Sequence, residues 1–80
     1  MKVVKRDVKG YWGMNHQAGK ELHIKNTPPE GTVYVDKDLS GKRLRKVIVH
    51  EKIESFQMEH NHLKYKDAHR IANKFEKNVR

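Results

Sequence analysis

The chain contains no cysteine. That removes disulfide staples, thiolate nucleophiles and every cysteine-ligated zinc site at once. Its only two prolines stand together at Pro28-Pro29, and no glycine follows Gly41. The second half therefore lacks the residues that usually interrupt a helix. No apolar run approaches the ~18 residues of a membrane-spanning helix, so no membrane association is expected. The start, Met1-Lys2-Val3-Val4-Lys5-Arg6-Asp7, has neither an apolar core nor a small-residue cleavage site. A secretory signal is not expected there, and a cytoplasmic setting is the default. Apolar residues fill 35% of the 80 positions, against ~45–50% in an average globular domain. One domain over residues 1–80 is expected, with a thin core.

What the chain has in excess is positive charge. Eighteen Lys and Arg against ten Asp and Glu leave a net charge of +8. Lys37, Lys42, Arg43, Arg45 and Lys46 cluster around position 40, and Lys64, Lys66, Arg70, Lys74, Lys77 and Arg80 crowd the end. Such a density attracts phosphate backbones through counterion release. One functional class is thus a small basic accessory protein that binds nucleic acid or another protein without catalysis. Against it, the basic positions at 42, 43, 45, 46 and 52 spread around a helix without forming a stripe. No RNA-recognition aromatic motif or helix-turn-helix pattern is present.

The hydrophobic period changes along the chain. Residues 2–8 carry Val3, Val4 and Val8 and read as a strand; residues 10–15 set Tyr11 and Trp12 between glycines, fitting a strand or a close backbone approach. Gln17-Ala18-Gly19-Lys20 reads as a hairpin connection. Residues 21–25 alternate about Leu22 and Ile24, and residues 32–36 repeat that pattern about Val33 and Val35. A short antiparallel sheet of three or four strands in meander order is the prediction. From Ser40, a good N-cap, helical spacing runs to about Met58 or Glu59, with Leu44, Val47, Ile48, Glu51 and Ser55 on one face and Val49, Ile53 and Phe56 on another. Apolar residues on two flanks place this helix at the centre of the domain. After an interruption at Asn61-His62, Ala68, Ile71, Ala72, Phe75 and Val79 mark a second amphipathic helix. The fold class is α+β, a sheet followed by two packed helices.

Chemistry concentrates in Val47-Ile48-Val49-His50-Glu51-Lys52-Ile53-Glu54. His50 and Glu54 stand four apart, so both project from one helix face and can grip one ion. Glu51 lies about 100° further round, placed to face water at that ion without binding it. This is the His-Glu-x-x-His zinc helix with its second histidine replaced by glutamate. A third ligand is needed, and His69 of the second helix is the best placed, because Ala68 and Ala72 allow the helices to approach closely. Glu76, seven residues on, lies on the His69 side of that helix, either as a ligand or as an acceptor that orients His69. The plainer alternatives are a helical His50–Glu54 ion pair, a Glu51 salt bridge to a nearby cation, and a His69 satisfied by Glu76. His60-Asn61-His62 and Glu59-x-x-His62 are fragments that lack the partners their motifs require. His16 and His23 fall on the strand side, with His23 exposed.

Val47-Ile48-Val49-His50-Glu51-x-x-Glu54 followed by Tyr65-x-x-Ala68-His69-x-x-Ala72-x-x-x-Glu76 resembles the minimal zincin-like proteins of phage and prokaryotic genomes. The resemblance covers roughly residues 10–76, with its specific part at 47–54 and 65–76. It implies a divalent metal, Zn2+ or another such ion, held by His50, Glu54 and His69, with Glu51 as general base for hydrolysis of a peptide or protein substrate. One position departs from the pattern: zincin peptidases carry His where this chain has Glu54, and an anionic ligand makes the metal a weaker Lewis acid. A purely structural ion is the third reading the same residues allow.

Overall fold

A computed structural model describes residues 1–8 and 10–79. It contains β1 (Lys2–Arg6), β2 (Gly13–Asn15), α1 (His16–Glu21), β3 (Thr32–Asp36), α2 (Gly41–His60) and α3 (Tyr65–Glu76). The architecture is α+β, three strands covered by helices, as the sequence periodicity implies. Among the described residues no helix is long and apolar enough to cross a membrane.

The strand order is β1-β3-β2, with β3 parallel to β1 and antiparallel to β2. The expected meander is therefore replaced by a mixed sheet in which the last strand inserts between the first two. Burial explains the order. Val33 and Val35 of β3 are completely inaccessible, whereas β1 presents Lys2, Lys5 and Arg6 to solvent. The most apolar strand takes the centre, and charged residues occupy the edge, where they discourage pairing with another chain.

Residues 16–25 do not form the hairpin and strand that Leu22 and Ile24 imply. Asn15 adopts an extended conformation and its side chain accepts a hydrogen bond from the Ala18 amide, which starts α1. Leu22 closes that helix, and His23 turns the chain away with φ = 56°. Two apolar residues in five are too few to distinguish a strand from a turn, and the N-cap decides the outcome. His16, at the start of α1, bonds through Nδ1 to the Pro28 carbonyl at 2.9 Å.

Helix α2 is the spine. Its 20 residues span ~30 Å at ~1.5 Å per residue, and the molecule's longest dimension is 31 Å. Leu44, Val47 and Ile48 pack on Val33, Val35 and Leu39, but Phe56 on the other apolar flank is 52% exposed. Ser40 occupies the N-cap position without donating or accepting a side-chain cap bond. Helix α3 is capped from outside: its Tyr65 amide donates to the Glu21 carboxylate at 2.9 Å, which satisfies one of the first-turn amides. Ala68 and Ala72 are fully buried, so α3 lies close against α2. Arg80, counted above among the basic residues of the tail, lies outside the described residues.

The core is unusual in one respect. The largest of its fully buried side chains is Glu54, and Asn15, His50, Glu51 and Ser55 are buried with it. A domain with so little apolar volume to spare rarely buries acidic groups without a purpose for them.

Candidate metal centre

The antiparallel pairing of α2 and α3 can be read from the contacts themselves: moving from His50 to Glu54 on α2, the α3 partners move back from Glu76 to His69. Spacing on each helix and crossing between them bring three atoms together. His50 Nε2 and Glu54 Oε2 are 2.9 Å apart, His69 Nδ1 and Glu54 Oε2 2.9 Å, and the two imidazole nitrogens 3.1 Å. The rings meet edge to face with centroids 4.7 Å apart. These three residues could hold a metal ion.

Hydrogen bonding alone gives a poor account of this triangle. If both nitrogens carried protons toward Glu54, two N–H groups would face each other at 3.1 Å. At most one proton fits between the rings, so one nitrogen must present a lone pair. Two imidazole nitrogens and a carboxylate oxygen converging on one point form a two-nitrogen, one-oxygen donor set suited to Zn2+ and to other divalent first-row ions.

Glu76 is placed differently from expectation. Its carboxylate accepts from His50 Nδ1 at 2.6 Å rather than orienting His69. That bond fixes the orientation of the His50 ring, so Nε2 faces Glu54 and His69. His69 is steadied instead by the Tyr65 ring, stacked 5.2 Å away.

Glu51 is 6% exposed, and its Oε1 accepts from Asn15 Nδ2 at 3.0 Å. The same amide donates its second hydrogen to Glu54 Oε1, also at 3.0 Å. Asn15 Oδ1 is engaged by the Ala18 amide, which fixes the orientation of the side chain and aims both N–H bonds at the carboxylates. One completely buried residue thus ties β2 and α1 to the site on α2. No motif marks it in the sequence; its cap position is locally legible, but its carboxylate partners lie 36 and 39 residues away.

Burial shapes the protonation of the cluster. It pushes Glu51 up to about 8, the Glu54 charge adds to that, and His50 and Asn15 oppose it. For His50 burial favours the neutral ring, but bonds to Glu54 and Glu76 and the charge of Glu51 outweigh it, and the pKa rises to about 9. Tyr65 is pushed up to about 12 by burial, then by the Glu54 and Glu51 carboxylates, so its hydroxyl stays a donor at any physiological pH.

The cluster opens into a cavity of about 280 Å³ lined by Tyr11, Trp12, Gly13, Met14, Val47 and Tyr65 together with the acidic and histidine side chains. Gly13 is required by its neighbours: a Cβ there would lie 2.8 Å from Val47 Cγ1 and 2.9 Å from Glu51 Cγ. Gly13→Ala should force β2 away from α2 at a cost of ~1–3 kcal/mol. In a domain of this size that lowers the melting temperature by about 4–8 °C per kcal/mol; an unchanged thermal melt would contradict the packing described. The other histidines stand apart. His23, His60 and His62 are exposed, and His60 packs its ring near Phe56.

Comparison with protein-family models, with curated proteins and with solved structures returns no match.

Proposed function

We propose that this chain is a zincin-like, divalent-metal-binding protein, with Zn2+ as the ion, and that it hydrolyses peptide-type bonds with Glu51 as general base. The observation that carries the reading is the convergence of His50 Nε2, Glu54 Oε2 and His69 Nδ1 to within 3.1 Å of one another. A cation held there supplies Lewis acidity, which acidifies water and polarises a carbonyl group. The protein's own part is positional. Glu76 sets the His50 ring, Asn15 holds Glu51 and Glu54 apart on separate hydrogens of one amide, and Ala68 and Ala72 allow α3 to deliver His69. Glu51 sits one residue from a ligand and faces the same cavity, where a carboxylate can take a proton from water and return it.

The test is a calorimetric titration of chelator-treated protein with Zn2+, accompanied by elemental analysis. One ion per chain is expected. His69→Ala, which removes the most exposed of the three ligands, should weaken binding at least ~10-fold without unfolding the protein. Absence of stoichiometric zinc, or equal affinity in the variant, would remove the reading.

A further inference from the structure

The cavity in front of the triangle has a chemical character of its own. Tyr11 and Trp12 are adjacent in sequence, 40% and 58% exposed, and both line it. Trp12 is the only tryptophan of the chain. Large apolar side chains left in solvent beside a polar site are more informative than scattered surface leucines. The Trp12 ring is held in place, with the Arg43 guanidinium 4.9 Å from its centroid. Behind this lip, Met14 and Val47 supply an apolar wall, and Tyr65 bridges from the wall to His69.

Size and charge narrow the occupant. A cavity of ~150 Å³ is enough for benzene, and sites for drug-sized ligands begin at ~300 Å³. About 280 Å³ therefore takes one ring and a few further atoms rather than an extended oligomer. Three carboxylates, Glu51, Glu54 and Glu76, line the inner end. Around a divalent ion these carboxylates leave no excess positive charge to attract a phosphate, whereas an uncharged carbonyl is tolerated.

Building on the metal-site reading, we propose that the cavity selects an aromatic ring attached to an uncharged acyl or peptide carbonyl, with the ring against Tyr11, Trp12 and Val47 and the carbonyl toward the His50–Glu54–His69 triangle. The substrate class is an aromatic acyl or aromatic-residue peptide compound, and Trp12 is the specificity-determining residue.

The zinc-loaded 80-residue chain is titrated with benzohydroxamic acid and with acetohydroxamic acid, which share a metal-binding head and differ in the ring. Calorimetry gives the affinities, and Trp12 fluorescence reports contact with the ring. The aromatic probe should bind at least ~10-fold more tightly, in line with ~1–3 kcal/mol for aromatic stacking by alanine substitution. Trp12→Ala should abolish the difference while leaving acetohydroxamic acid affinity unchanged, and Trp12→Phe should restore most of it. Trp12 is largely exposed, so neither substitution threatens folding. Equal affinities in the native chain, or a preference that survives Trp12→Ala, would overturn the aromatic assignment while zinc stoichiometry of one leaves the metal site intact. Absence of bound zinc by elemental analysis would overturn both.

Discussion

Glu51→Gln should abolish hydrolysis and leave the metal site in place. Removing a general base costs typically ~10²–10⁴ in rate, so turnover of an aromatic peptide substrate should fall by that factor, with one zinc ion still bound. The expectation rests on the protonation state of the native residue. With a pKa of about 8, Glu51 is largely neutral at pH 7 in the metal-free protein, and glutamine copies both its shape and its charge there. The substituted side chain still offers Asn15 an acceptor oxygen, so the Asn15 bridge between β2 and α2 survives. The melting temperature of the chelated protein should therefore change little. A structural role makes the opposite prediction: the melt would move and turnover would not. Measuring rate, zinc content and thermal unfolding on one preparation separates the two, and retained turnover would remove Glu51 from the chemistry.

The parts of this site differ in how far the sequence alone exposes them. Helix α2 is legible because residues 42–80 contain no glycine or proline and carry a helical apolar period. The i, i+4 relation of His50 to Glu54 then follows from helix geometry alone. His69 is legible through its flanking alanines, which mark the α3 face that can approach another helix. Glu76 shows where this logic stops. Seven residues from His69 put it on the same side of α3 but roughly 10 Å along the axis, beyond hydrogen-bond reach. The antiparallel crossing carries it to His50 instead, and that depends on how two helices pack rather than on either one. Asn15 fails for a similar reason. Its capping role is local, but its bonds to Glu51 and Glu54 exist only because β2 lies at the sheet edge beside α2. The sheet order itself depends on a competition for the buried centre, which β3 wins with two inaccessible valines. Alternation in each strand taken separately does not reveal that competition.

Stripped protein should lose stability as pH rises, and zinc should remove part of that loss. In the metal-free state both shifted groups hold protons more tightly folded than unfolded: Glu51 from an ordinary 4.5 to about 8, His50 from 6.5 to about 9. The folded chain therefore binds more protons than the unfolded chain across this range, and stability falls as pH rises. For His50 the contribution is complete below pH 6.5 and is lost as pH climbs through 9. For Glu51 the penalty of ionising in a buried site begins above pH 4.5 and is complete beyond 8. Each pKa unit corresponds to ~1.4 kcal/mol, so the two groups together remove on the order of several kcal/mol between pH 5 and 9. A domain of 80 residues has only about 4–12 kcal/mol in total, so the chelated protein should melt at much lower temperature at pH 9 than at pH 5. Glu54, Glu76, His69 and Tyr65 surround these two groups.

Zinc counters the dependence because its ligands must shed protons. Below pH 9 the ion has to displace the His50 proton, so apparent affinity rises up to ~10-fold per pH unit, adding up to ~1.4 kcal/mol per unit at fixed free zinc. That gain offsets the loss seen in the stripped protein. Thermal melts with excess zinc and with chelator should converge near pH 5 and separate progressively toward pH 9. Two superimposed curves over this range would show that the buried histidine and carboxylates serve packing and bind no ion.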